Sequence, residues 1–175
     1  MLDFHYEPVL TITPGQELAA VMGVITANSA RPRYTFMILE LIARVADSRA
    51  QAGPYVRQGS ELVPIREWLA SAIAPTASRH HQRKSTVNTV RRQLTASGKL
   101  PADPDVADKL VAEEVSLRVL ASGMTAVSRA VSELVRAGLL ERHYQGYRVD
   151  HHNRGAQRQA VYTVTSTARR ALGVT

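Results

Sequence analysis

Apolar residues recur at helical spacing along most of this chain and alternate strictly only near its end, so the pattern predicts a mainly α protein with a small β element. Residues 1–12 read as an extended arm or strand anchored by Val9, Leu10 and Ile12. Thr13 and Pro14 then start a helix, with Thr13 as cap, Glu17 favoured by the helix dipole, and Leu18, Val21, Met22 and Ile25 along one side until about Ser29. Its exposed small residues suit either a partner helix or an ordinary core setting. Thr35 opens the most apolar helix, carrying Ile38, Leu41, Ile42 and Val45. Gly53-Pro54 ends that region, Tyr55–Val63 suits a hairpin about Gln58-Gly59, and a helix from about Pro64 to Ile73 buries Ile65, Leu69 and Ile73 beside Trp68.

Further along, Val87, Val90 and Leu94 form one stripe, Asp103 caps a helix beginning at Pro104 with Val106, Leu110 and Val111, and Val127, Val131, Leu134 and Val135 follow at i, i+4, i+7 and i+8. Gly138 closes this last helix. Leu139–Tyr144 and Ala160–Thr165 are the strand-like runs, joined by a basic polar loop holding His151, His152, Arg154 and Arg158.

Composition narrows the chemistry. The chain has no cysteine, which removes disulfides, thiolate zinc sites and cysteine nucleophiles. No stretch approaches about 18 uninterrupted apolar residues, and the first residues lack the basic and apolar regions of a secretory leader, so a soluble cytoplasmic protein without a membrane partner is expected. No phosphate-cradling glycine loop, nucleophile elbow or paired-histidine metalloprotease helix is present, so neither an enzyme nor a cofactor is expected. The histidine pairs His80-His81 and His151-His152 are adjacent rather than i, i+4, which suits phosphate contact or solvent better than metal, and no metal site is expected.

Charge alters the picture most. The formal net charge is +7, and it is unevenly placed: residues 76–100 carry six basic and no acidic side chains, 101–123 carry two basic and five acidic, and 124–175 carry eight basic and three acidic. Two basic blocks separated by an acidic one point to a polyanion, with the acidic helix turned away from it. In the first block the stripe leaves Asn88, Thr89, Arg91 and Arg92 outward beside Arg83 and Lys84, chemistry suited to adenine edges, guanine edges and phosphate. In the second, Ala126, Ser128, Arg129, Ser132, Glu133 and Arg136 occupy the outward face, and Thr125 joins them at the start of the helix as a DNA-contacting residue. Small residues there admit a close approach to a groove, and Arg129 reaches a guanine edge or a phosphate. A shift of 40 residues aligns Val87, Leu94, Gly98 and Leu100 with Val127, Leu134, Gly138 and Leu140, a weak repeat of a helix stopped by glycine.

Thr125 to Leu172 resembles the winged helix-turn-helix of MarR-like transcriptional regulators, on Val127-Ser128-Arg129-Ala130-Val131, Leu134, Gly138-Leu139-Leu140-Glu141-Arg142, Arg154, Arg158, Val161, Val164-Thr165, Ala168-Arg169 and Leu172. The resemblance covers roughly the last 60 residues. It implies a recognition helix in the major groove and a wing, with Arg154, along the backbone or in the minor groove. The preceding helix or its turn falls at 117–124, with Gly123 near the bend. The chain then divides into 1–100, a helical scaffold and dimerisation region with a possible second DNA-contacting helix, and 101–175, the winged helix-turn-helix. The expected function is sequence-specific binding of double-stranded DNA as a homodimer that regulates, and represses, transcription. Two alternatives stay open: a plasmid replication or partition type of protein with tandem winged helices, and a winged-helix module for protein contacts. Any small-molecule effector is left open.

Overall fold

The computed structural model describes residues 14–77, 80–145 and 159–174, with side chains outside 14 and 75–83. Among these, six helices and five short strands follow one another: α1 (Pro14–Asn28), α2 (Pro32–Val45), β1 (Gln51–Ala52), β2 (Tyr55–Gln58), β3 (Glu61–Pro64), α3 (Ile65–Ala77), α4 (His80–Ala96), α5 (Pro104–Arg136), β4 (Leu140–Gln145), β5 (Gln159–Val164) and α6 (Ser166–Leu172). The protein is mainly helical, as its periodicity predicts. Strands β1, β5 and β4 form an antiparallel sheet in that order, and β2 and β3 form a separate hairpin. No described helix is long and apolar enough to cross a membrane. The expected arm over residues 1–12 lies outside the described residues.

The main core is one cluster drawing on both 1–100 and 101–175. Val21 and Ile25 from α1, Ile38, Leu39 and Ile42 from α2, and Ile65, Leu69 and Ile73 from α3 meet Val127, Val131 and Leu134 of α5 and Tyr162 and Val164 of β5. Helix α2 begins three residues before Thr35, because Pro32 occupies the first helical position with the φ angle it already favours. Thr35 is therefore not a cap. It is buried, and its Oγ1 donates to Glu133 Oε2 at 3.0 Å across 98 residues of sequence, so Glu133, expected on the outward face of its helix, is instead buried with a hydrogen-bond partner.

Helix α5 departs most from expectation. No turn interrupts it at Gly123; it runs unbroken from the Asp103 cap, whose Oδ1 accepts from the backbone N–H groups of Asp105 and Val106 at 2.9 and 3.2 Å, to Arg136. A glycine inside a helix costs only about 1 kcal/mol relative to alanine, too little to break a helix held by tertiary packing. Gly123 instead lets α3 approach, since a Cβ there would stand 3.1 Å from the Ala70 Cβ.

The buried side of α5 changes along its length. Its first half faces α4 through a small second cluster of Val90, Val111 and Val115, with Val87, Leu94 and Leu100 at the margin. Its second half faces the main core. Val111 and Val127 are 16 residues apart, a rotation of about 160°, so α4 and the main core lie on opposite sides of one rod. This explains why Val106, expected inside, is 51% exposed, while Ala107 and Val115 are buried.

Both aligned glycines stop their helices in the same way. Gly98 and Gly138 sit at φ 66° and 69°, and the two N–H groups that follow each helix close on its last turn: Gly98 N–H to Thr95 O with Lys99 N–H to Leu94 O, and Gly138 N–H to Val135 O with Leu139 N–H to Leu134 O. What comes next differs: after Gly98 the chain reverses into α5 with no strand between, whereas after Gly138 it enters β4.

Candidate nucleic-acid interface

Thr125, Arg129, Ser132 and Arg136 stand at i, i+4, i+7 and i+11 on α5, with Ser128 at the edge, so one helix face holds all five. Thr125, Arg129 and Arg136 are exposed and Ser128 and Ser132 half-buried. Among the described residues neither Arg129 nor Arg136 has an ion-pair partner. The hydroxyls are already engaged: Thr125 donates to Ala121 O at 3.1 Å, Ser128 to Met124 O at 2.9 Å and Ser132 to Ser128 O at 2.9 Å. With their protons turned to the helix backbone, these oxygens meet a ligand as acceptors. Donation from this face therefore falls to the arginines.

Strand β4 runs back along α5 after the Gly138 turn. Arg142 Nη1 donates to Ser132 Oγ at 3.4 Å and its guanidinium lies 5.6 Å from the Tyr144 ring centroid, which places a third arginine and an exposed aromatic beside the helix face. Arg142 and Tyr144 share a sheet face with Tyr162, since Arg142 pairs with Tyr162 in the ladder. Burial pushes the Tyr162 phenol up to about 12, partly opposed by the nearby Arg66 and Arg142 charges. Arg66, in the first turn of α3, thereby joins the group. Neither Arg66 nor Arg142 is evident as a site residue in the sequence, because only the β4–β5 register and the start of α3 bring them together.

The first basic block lies on the same side of α5. Arg129 is 18 residues from Val111, five whole turns, so it points to the side on which α4 packs. Because α4 and the first half of α5 form a helical hairpin, the N-terminal end of α4 points along α5 toward Arg129. Lys84, Asn88 and Arg92 are exposed on α4. Arg91 is exposed but ion-paired with Asp108, and Arg118 Nη1 donates to Gln93 Oε1 at 2.6 Å while its Nε meets Glu114 at 3.0 Å. The acidic half of α5 is thus the partner that holds α4. Arg83 stands on α4 with its side chain outside the described residues, and Arg154 and Arg158, with His151 and His152, fall in 146–158, also outside them.

No protein-family model, curated protein or solved structure matches this chain. The residues and their geometry carry the functional reading.

Proposed function

We propose that this protein binds duplex DNA sequence-specifically through a winged-helix unit and regulates transcription, as a repressor, in homodimeric form. The observation that carries the reading is the free Arg129 and Arg136 face of α5, flanked by Arg142 on β4 and by the outward face of α4 on the same side. Topology supports it: α2, β1, α3, the second half of α5, β4 and β5, with β1 pairing to β5, follow the helix, strand, helix, helix, strand, strand order of winged helices. On this reading α3 is the helix that precedes the recognition helix, and the α4 hairpin is inserted between them. The resemblance to MarR-like regulators covers only the C-terminal part.

In that arrangement the arginines supply phosphate contacts and guanine readout, and the serine and threonine oxygens accept from base amino groups. The extra face on α4 widens one DNA-facing surface, since α4 leads straight into α5 without strands of its own. Selecting bound duplexes from a random pool tests the proposal. A palindromic consensus is expected, with half-sites about one helical turn apart. Failure to retain any duplex at low salt would overturn it in favour of a protein-contact module.

A further inference from the structure

The hairpin β2–β3 has no role in the reading so far, yet its position and surface chemistry are specific. In the ladder Gln51 pairs with Thr163 and Ala52 with Tyr162, so β1 runs toward the beginning of β5. That is the end of the sheet from which the 146–158 connection departs. The chain stays against β5 there, with the backbone at Gly53 beside the Ala160 carbonyl, and the hairpin then leaves the sheet. Its base is closed by Ile65 N–H donating to Pro54 O at 3.0 Å, which also fixes the start of α3 and hence Arg66. The hairpin is therefore firmly mounted at the same end as Arg66, Arg142 and Tyr144.

The two faces of the hairpin differ. Val56 pairs with Val63, and both are half-buried, with Val56 against the main core. On the other face Tyr55 pairs with Pro64 and Arg57 with Leu62; Tyr55 and Leu62 are 47% and 60% exposed, and Arg57 has no ion-pair partner among the described residues. Glu61, the hairpin's acid, pairs with Gln58 on the Val56 face instead. An unpaired arginine beside exposed leucine and tyrosine, free of acid, suits the minor groove: negative potential attracts the guanidinium, and apolar groups pack on sugars or wedge between base steps.

We infer that the β2–β3 hairpin is a second DNA-contacting ribbon, which places Arg57, Leu62 and Tyr55 in the minor groove next to the segment that α5 reads. The inference rests on the duplex-binding reading above, and it adds a contact that lies outside the recognition helix and the 146–158 loop.

The test is hydroxyl-radical footprinting and salt-dependent binding of the full chain on a selected duplex, comparing parent, Arg57→Ala and Tyr55→Ser/Leu62→Ser. The Val56 and Val63 face is untouched in these variants, and circular dichroism melts check that they fold. The expected result is loss of minor-groove protection flanking the α5 site in both variants. For Arg57→Ala, the slope of log affinity against log salt should fall by about 0.9, the value of one phosphate contact. A parent-like footprint and slope in folded variants overturns the ribbon while leaving duplex binding intact, and points to the hairpin as a protein contact. A parent that binds no duplex overturns both.

Discussion

Arg129 and Ser132 sit on the same face of α5, yet they offer a ligand different things. Ser132 Oγ gives its proton to Ser128 O and accepts from Arg142, whereas Arg129 has no ionic partner among the described residues. Arg129→Ala should therefore weaken binding to the preferred duplex by about 1–3 kcal/mol, and a random duplex by less, in titrations at fixed salt. Equal losses on both would reduce Arg129 to a phosphate contact. Tyr162 makes a second prediction. Its phenol is held at about 12 in the folded protein against an ordinary value of 10, so the neutral form is favoured by folding. The stability so gained is present in full below pH 10 and is lost as pH rises from 10 through 12, roughly 3 kcal/mol over that window. Urea melts across this range should show Tyr162→Phe losing stability less steeply than the parent; identical pH profiles would mean that the phenol does not titrate with unfolding.

Among the elements, the α4 and α5 hairpin is the weakest link, since among the described residues its buried side chains are the small Val90, Ala107, Val111 and Val115. Val111→Ala should cost about 2 kcal/mol from lost burial and the cavity left behind. Amide exchange is expected to accelerate across α4 and 104–115 before it does so in α2; uniform acceleration would show that hairpin and main core open together. Element ends were legible where local chemistry sets them: Asp103-Pro104 starts α5, Gly98 and Gly138 stop helices, and Gln58-Gly59 turns a hairpin. The continuity of α5 through Gly123 was not, because the glycine serves a close approach to Ala70, 53 residues earlier in the sequence, and not a turn. The exchange of buried sides along α5 was hidden for a related reason: whether Val106 or Ala107 lies inside depends on where α4 lands. On the candidate surface, the α5 face could be read from periodicity, but Arg66 and Arg142 come together only through strand register.

For the whole molecule, the question is how two DNA-facing surfaces would be joined. The outward side of α1 carries Ala19, Ala20, Gly23, Val24 and Ala27, all exposed and uncharged, while the one acid of that helix, Glu17, meets Arg170 at 3.2 Å. An exposed helix face without charge suits a second copy of the same helix. Ala20→Glu is expected to shift sedimentation toward monomer and to weaken binding to a palindromic site more than to a half-site. A parent that sediments as a monomer at every concentration would sink the homodimer.

The unbroken run of α5 also bears on how the α4 surface is held in place. Starting a helix is the costly step and extending it is cheap. The main core fixes the second half of α5, so the acidic first half is a continuation of a helix already nucleated. The small valine cluster need not order that half alone. It acts as a splint fastened at one end, and the direction in which Lys84, Asn88 and Arg92 are presented is set by side chains such as Val131, about 30 Å away along the rod from Val111. A substitution that tilts α5 in the main core would swing the α4 face through a larger arc than the Arg129 face; under the duplex-binding proposal it would alter how far along the DNA the protein reaches before it alters what is read.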